Sequence, residues 1–383
     1  MFQRGLHSLT MTNIILPESI LNLQKTYSSD PGSLFLQGNM GLVDSINRPH
    51  QKLFDLYKEL KSLDWDEHEF ELERCVLDFK TKPPHMCFKM IQTLAWQWEA
   101  DSAAAHSVAP VVAPFVSSDD LWLAYLEVNR NEGLHALSYS EIVKYGMGDA
   151  AQVLLDVVNN SEAAKRLSTV ANGLHEVKMI GAKLTLGMIS QDSDEAIDAA
   201  MMFAATMLVL ERIQFMISFA ATFAIGETGS FMPIVDTVQK IMTDEYTIHI
   251  PVGKYVIRNE LNQARSKKSI ERIWPAVEKM IGEVLKAEVH WNYNHLFADG
   301  HELAGIRPKM FEDWALFAVN DVFETFGKPN PFTIVSKNPL SYMNDWIDIN
   351  KNQGSPQEIR RGNYLLGGVV QGNDTSPIDV SDL

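Results

Sequence analysis

Glu132 and His135 stand three positions apart in the segment YLEVNRNEGLHALSYSEIVKY, Tyr125–Tyr145. Positions i and i+3 of a helix lie about 60° apart, so the carboxylate and the imidazole face the same way. Tyr139, seven positions after Glu132, falls within about 20° of that face. A second pair, Glu245 and His249, occurs in DEYTIH at spacing i, i+4. Each pair follows a single acid on another apolar stretch: Asp101, 31 residues before Glu132, and Glu211, 34 residues before Glu245. One acid, then Glu plus His, given twice on long helices, is the ligand set of a two-metal carboxylate site in a helical bundle. Four carboxylates and two neutral imidazoles carry a charge of −4, which two divalent cations cancel. Oxygen donors with one imidazole per metal suit iron or manganese better than the sulfur-rich or closed sites that zinc prefers. The other nine histidines (His7, His50, His68, His85, His106, His175, His290, His295 and His301) show no comparable pairing and are assigned surface or packing roles.

Such a site needs long helices to hold it, and the composition supplies them. The chain has 383 residues, 46% hydrophobic and 21% charged, which is the make-up of a folded protein rather than a disordered one. From Gln51 to about Phe326, Ala, Leu, Met, Glu and Lys dominate, and apolar residues recur at three- and four-residue spacing. The pattern predicts helices near 51–62, 86–108, 118–145, 161–190, 194–225, 233–259, 267–298 and 309–326. No run alternates long enough for a sheet, and no Gly-rich phosphate loop follows a strand. The expected fold is all-α, with an irregular N-terminal arm over residues 1–50, a helical domain over 51–337 and a flexible tail over 338–383. The arm is punctuated by Pro17, Pro31, Gly32, Gly38, Gly41 and Pro49; the tail is broken by Pro339, Gly354, Pro356, Gly367, Gly368 and Pro377.

Several function classes are disfavoured. With 33 basic against 49 acidic residues the net charge is −16, which argues against nucleic acid or an anionic membrane as the main partner. The two cysteines, Cys75 and Cys87, allow no disulfide framework and no Cys-rich zinc site, as in a reducing compartment. Residues Met1–Pro17 lack the basic-then-apolar order of a secretory signal, so the expected location is the cytoplasm. The most apolar stretch, Ala199–Ile225, is interrupted by Glu211 and Arg212 after twelve residues, whereas spanning a bilayer takes roughly 20. It reads as a helix buried on nearly all sides with one carboxylate in the core. A bare core carboxylate costs several kcal/mol, and Arg212 points about 100° away from Glu211, so Glu211 needs a metal, a proton or another partner.

Together these motifs resemble the small, radical-generating subunit of class I ribonucleotide reductase, a ferritin-like di-metal protein, over about residues 34 to 383. The resemblance rests on the Asp101 helix, NEGLHALSY around Glu132, LERIQFMISFAATF around Glu211, DEYTIH around Glu245 and the tail segment PQEIRRGNYLLG. It implies that Asp101, Glu132 and His135 hold one metal and Glu211, Glu245 and His249 the other, with glutamates bridging. It implies two iron ions, with manganese as the alternative, and oxidation of Tyr139 to a stable radical in a pocket lined by Phe215 and Phe219. Trp65, 36 residues before Asp101, matches the start of the family's electron route, and Asp244 the acid that connects it to His135. Glu358 and Tyr364 match the tail residues that relay the radical to a separate large subunit, onto which the C-terminal tail docks. The resemblance further implies a homodimer and reduction of ribonucleotides to deoxyribonucleotides.

The family's second pair is usually Glu-x-x-His, whereas one extra residue separates Glu245 from His249 here. A single π-bulge would return His249 to the ligand face. Pro251 favours such a distortion, because it has no N–H and its ring clashes with the carbonyl of Thr247. Two other readings compete: another ferritin-like di-iron oxidase or ferroxidase, which explains the ligands but not Tyr139 or the Trp65–Asp244–Tyr364 route, and a non-catalytic scaffold whose acids are solvated.

Overall fold

The computed structural model describes residues 16–348. Its elements are α1 (Gln51–Ser62), a 3-10 turn (Leu72–Arg74), α2 (Cys75–Thr81), α3 (Pro84–Val112), α4 (Asp119–Gly146), α5 (Ala150–Val158), α6 (Ser161–Thr185), α7 (Asp194–Val209), α8 (Met216–Gly226), α9 (Met232–Asp244), α10 (Ile250–Glu260), α11 (Ala264–Trp291), α12 (Pro308–Phe326) and α13 (Met343–Ile347). Three π-helical segments join them: π1 (Leu210–Phe215) between α7 and α8, π2 (Glu245–His249) between α9 and α10, and π3 (Asn292–Leu296) after α11. Among the described residues only isolated bridges occur, Phe35 with Val116 and Leu303 with Ile306. The eight helices expected from periodicity are present, whereas the short α2, α5 and α13 escape a pattern that needs several turns to emerge.

Local chemistry sets the ends of the long helices. Ser118, Asn160 and Ser193 cap α4, α6 and α7 by accepting backbone N–H groups of the first turn. Pro84 and Pro308 open α3 and α12, where a missing N–H is harmless. Gly327, at φ 62°, closes α12 in the left-handed conformation that a Cβ would oppose.

The core is built around α7, π1 and α8, a continuous helical run from Asp194 to Gly226. By length and composition this run could cross a membrane, but its apolar window is wholly enclosed by the rest of the chain. From Phe203 to Gly226 every residue is buried. Burying each Leu, Phe or Met there is worth roughly 1.5–3 kcal/mol, which outweighs the cost of setting a few polar groups among them. α3, α6, α9, α10, α11 and α12 pack against this run and α4 reaches it through Tyr125 on Phe203, so side chains from α3, α4, π1 and π2 meet in one cluster.

The described part of the arm packs onto this body. Leu34 and Phe35 are fully buried, and the Leu34 N–H donates to Glu260 Oε1 at 2.8 Å. Leu36 N–H donates to the Phe115 carbonyl at 2.9 Å, and Ser117 N–H to that of Leu34 at 3.0 Å. Residues 338–348, read from sequence as the start of a flexible tail, are packed: Leu340 and Met343 are buried, and Trp346 stacks on Phe223 at 4.8 Å. Pro339 breaks periodicity there, but the segment is anchored because its aromatic and apolar side chains dock on α8. The remainder of the tail, with Glu358 and Tyr364, lies outside the described residues.

Candidate metal centre

Asp101 comes from α3, Glu132 and His135 from α4, Glu211 from π1, and Glu245 and His249 from π2; all six are buried. Their donor atoms form two overlapping groups, each within 4.8 Å: Asp101, Glu132, His135 and Glu245 in one, and Glu132, Glu211, Glu245 and His249 in the other. Glu132 and Glu245 belong to both. His135 Nδ1 lies 3.0 Å from Glu245 Oε1, and His249 Nδ1 lies 3.2 Å from Glu132 Oε1 and 2.7 Å from Glu245 Oε2. The two acid–Glu–His units are therefore cross-connected rather than side by side.

π2 places His249 in this cluster. The Ile250 N–H donates to the Glu245 carbonyl five residues back, so the segment absorbs one residue more than a regular turn. Pro251 follows two positions later and supplies no N–H for the carbonyl of Thr247. π1, which carries Glu211, has no comparable marker in the sequence. Arg212 turns away from Glu211 and pairs with Asp321 at 2.6 Å.

The outer faces of both imidazoles are tied down. His135 Nε2 is 3.1 Å from Asp244 Oδ2. The same oxygen accepts from Trp65 Nε1 at 2.8 Å and from Asn131 Nδ2 at 2.9 Å. His249 Nε2 lies 3.0 Å from Asn131 Oδ1. With Nε2–H donated outward, each ring presents the Nδ1 lone pair to the cluster, which is how an outer partner fixes a ligand tautomer. The Trp65 indole also stacks on His135 at 6.1 Å. Asn131 is the residue that sequence reasoning missed; it directly precedes Glu132, but only the fold shows that it joins the two histidines' supports.

Metal is a good fit for this arrangement. Both oxygens of Asp101, Glu132, Glu211 and Glu245, and Nδ1 of both histidines, are buried with close approaches only to one another and no well-formed hydrogen bond. Leaving so many polar atoms unpaired costs far more than a fold can tolerate unless something else coordinates them. In the metal-free chain the groups adjust by holding protons. Burial and then the charge of Glu132 push Asp101 well up, and burial with the charge of Glu245 does the same to Glu211. Burial alone favours neutral imidazoles, but Asp244, Glu132 and Glu245 outweigh it and raise His135. Glu245 and Glu132 likewise push His249 up to about 10. Glu245 moves down despite burial, held by His249 and His135.

Tyr139 is buried one turn beyond His135, and its hydroxyl has no hydrogen-bond partner. Burial, with Asp101 as the strongest charged neighbour, raises its pKa well above that of a free phenol. Phe215 and Phe219, both fully buried, stack at 5.6 Å. An apolar pocket beside the phenol is lined by Ile91, Leu94, Trp98, Val143, Met147 and Val157.

A family model described as ribonucleotide reductase, small chain, matches residues 44–339. The chain belongs to that family. Among curated relatives, the ribonucleoside-diphosphate reductase subunit beta of Buchnera aphidicola is 23% identical over 342 residues, spanning 85% of this chain and 90% of the relative. The subunit beta of Haemophilus influenzae is 24% identical over 360 residues, 90% of this chain and 94% of the relative. In fold, the ribonucleotide reductase R2 subunit of Clostridium botulinum matches 87% of this chain and 99% of its own with a TM-score of 0.72 at 15% identity. An R2-like ligand-binding oxidase with an Mn/Fe cofactor shares the fold more distantly, covering 73% of this chain and 94% of its own at 15% identity and a TM-score of 0.53. Family membership makes this an all-α, ferritin-like small chain of an oxidoreductase that works with a large subunit. Of the two cysteines, Cys75 is buried and its thiol is pushed up to about 12, chiefly by burial.

Proposed function

We propose that this chain is the radical-generating subunit of a ribonucleoside-diphosphate reductase, with Tyr139 as the radical site. The observation that carries the reading is a buried phenol without a hydrogen-bond partner, set beside eight unpaired carboxylate oxygens. Asp101, Glu132, His135 and Glu245 would hold one metal, and Glu132, Glu211, Glu245 and His249 the other. Iron, or manganese in its place, supplies the one-electron oxidising power that activation of O₂ makes available. Manganese stays open because the fold is shared with dimanganese(II)-NrdF of Streptococcus sanguinis and with the Mn/Fe oxidase.

The protein's own residues then do the following. Tyr139 gives up one electron and its phenolic proton; Asp101, the strongest charged neighbour of the phenol, would be deprotonated when the site is loaded and offers the carboxylate to which that proton goes. Phe215, Phe219 and the apolar pocket keep water from the phenoxyl oxygen. Trp65 donates its indole N–H to Asp244, which bonds His135; this hydrogen-bonded chain links the centre to the loop that follows α1 and is the route for the one-electron equivalent. Glu358 and Tyr364, outside the described residues, continue the relay to a large subunit that holds the ribonucleotide and the reducing thiols. The relatives' names support a diphosphate substrate, and the chain acts as a homodimer in the cytoplasm.

A di-metal oxidase of the R2-like ligand-binding kind is the second reading, favoured by the shared fold. The Trp65–Asp244–His135 chain distinguishes the two, because an oxidase acting on its own bound ligand has no need of a conduit. Rapid-freeze EPR after Fe(II) and O₂ tests the proposal: a tyrosyl signal is expected in the wild type and none in Tyr139→Phe, with metal content equal in both. A wild type without that signal, or a signal that survives the substitution, overturns it. Elemental analysis of protein from its native host decides between iron and manganese.

A further inference from the structure

Glu162, His290 and His295 form a second convergence of metal-binding side chains, on the surface and away from the carboxylate cluster. Their donor atoms lie within 4.8 Å of one another. His295 Nε2 is 3.0 Å from Glu162 Oε2, and His290 Nε2 is 3.9 Å from the same oxygen. The two rings sit 5.6 Å apart. Sequence alone hides this pairing. Five positions separate the histidines, which on a regular helix puts them about 140° apart. π3 removes that separation: the Phe297 N–H donates to the Asn292 carbonyl five residues back at 3.0 Å, and the wider turn brings His295 round to the face of His290.

Two of the three donors, Glu162 and His290, are held in place by neighbours. Asn160 caps α6 by accepting the N–H groups of Glu162 and Ala163, which fixes the backbone beneath the carboxylate. Lys165 pairs with Oε1 of Glu162, so Oε2 is the oxygen turned to the imidazoles. Asn294 Nδ2 lies 3.1 Å from His290 Nδ1 and donates to the His290 carbonyl at 3.1 Å, which leaves Nε2 facing Glu162. A buried ion pair, Arg166 with Glu288 at 2.8 Å, joins α6 to α11 nearby in the chain.

We propose that Glu162, His290 and His295 bind a divalent cation of the zinc class, separate from the two metals of the radical site. Two imidazoles and one carboxylate select borderline ions such as Zn²⁺ over Mg²⁺ or Ca²⁺, which want oxygen alone. Three protein donors at the surface leave a fourth position to water, the arrangement of an open His₂Glu zinc site. The ion ties the first turn of α6 to the end of α11 and to π3, adding to the Arg166–Glu288 pair a second link between these elements. Because the donors are surface side chains, removing them leaves the fold and the radical site intact.

Metal-free protein is titrated with Zn²⁺ alone, passed through a desalting column and analysed for bound zinc, alongside His290→Ala/His295→Ala and Glu162→Gln. Whatever the carboxylate cluster takes up, the wild type is expected to retain one more zinc per chain than the double histidine variant, and Glu162→Gln to weaken that last equivalent by at least ~10-fold. Crystals soaked in micromolar zinc should show an anomalous peak between the three side chains. Equal stoichiometry in wild type and double variant, or an extra ion seen only at millimolar zinc, overturns the proposal. The failure of the radical reading would leave this difference untouched, since it concerns Tyr139 and not these residues.

Discussion

At the residue scale, the centre depends on side chains that never touch a metal. Asn131 accepts at Oδ1 from His249 and donates through Nδ2 to Asp244, which in turn holds His135 and Trp65. Replacing Asn131 by Leu keeps the volume but removes both bonds. Metal affinity should drop by about 10–100-fold with helix content unchanged, as read by Fe(II) or Mn(II) titration and circular dichroism. An unchanged affinity would mean that π2 alone orients His249. Protonation gives a second expectation. In the metal-free chain Asp101, Glu211, His135 and His249 all hold protons more tightly than in the unfolded state. The folded form therefore binds more protons near neutrality, and stability falls as pH rises. For His249 the contribution is fully present below its unfolded value of 6.5 and is lost as pH approaches about 10. Glu245 runs the other way, but only below the ordinary carboxylate range. Thermal midpoints of metal-free protein should thus decline between pH 7 and 10, while metal-loaded protein, whose ligands are already deprotonated, should not show that decline. Metal loading at pH 7 should also release protons into a weakly buffered solution.

At the element scale, π-helical turns do the positioning. π1 and π2 carry Glu211, Glu245 and His249, and π3 carries His295. A π turn is a one-residue insertion absorbed within a helix, so removing that residue should restore a regular turn without rotating the helix beyond it. Deleting the exposed Tyr246 leaves Glu-x-x-His, which faces one side on a regular helix. That variant should keep both metals, whereas inserting Ala at the same place turns His249 by about a further 100° and should lose metal at the group containing Glu211. Elemental analysis of the two variants checks the pair of outcomes. The sequence reached this element only partly. The extra residue before His249 and the proline at 251 were visible markers, and they point to π2. For π1 no proline or altered motif spacing existed, because the register of a helix with buried residues on every side is set by its neighbours.

At the scale of the whole molecule, one enclosed apolar helix organises the site. From Phe203 to Gly226 the run is buried at every residue, so Glu211 has nowhere to go but inward, and the helices around it bring the other donors to it. The tail poses a separate question. Residues 338–348 are anchored by Trp346 on Phe223 and by Leu340 and Met343, so any part that reaches a partner begins beyond them. Removing residues 373–383 should abolish turnover with the large subunit while leaving metal content and the Tyr139 signal unchanged, as measured by nucleotide reduction and EPR. Activity retained after truncation would count against docking through that end.

The amino-acid order by itself pointed to the all-α class, eight long helices and six candidate donors, with His249 dependent on a widened turn, since helical periodicity and the spacing of Glu and His on one face are local geometry. It also carried Tyr139, Trp65 and Asp244 through motif resemblance. Tertiary structure alone decided that Glu132 and Glu245 stand in both donor groups, that Asn131 joins the two histidines' supports, and that His290 and His295 share a face with Glu162. Those facts depend on which helices pack together and on where a turn widens to five-residue bonding. Both are fixed by contacts between segments far apart in the chain, and no spacing along one helix records them.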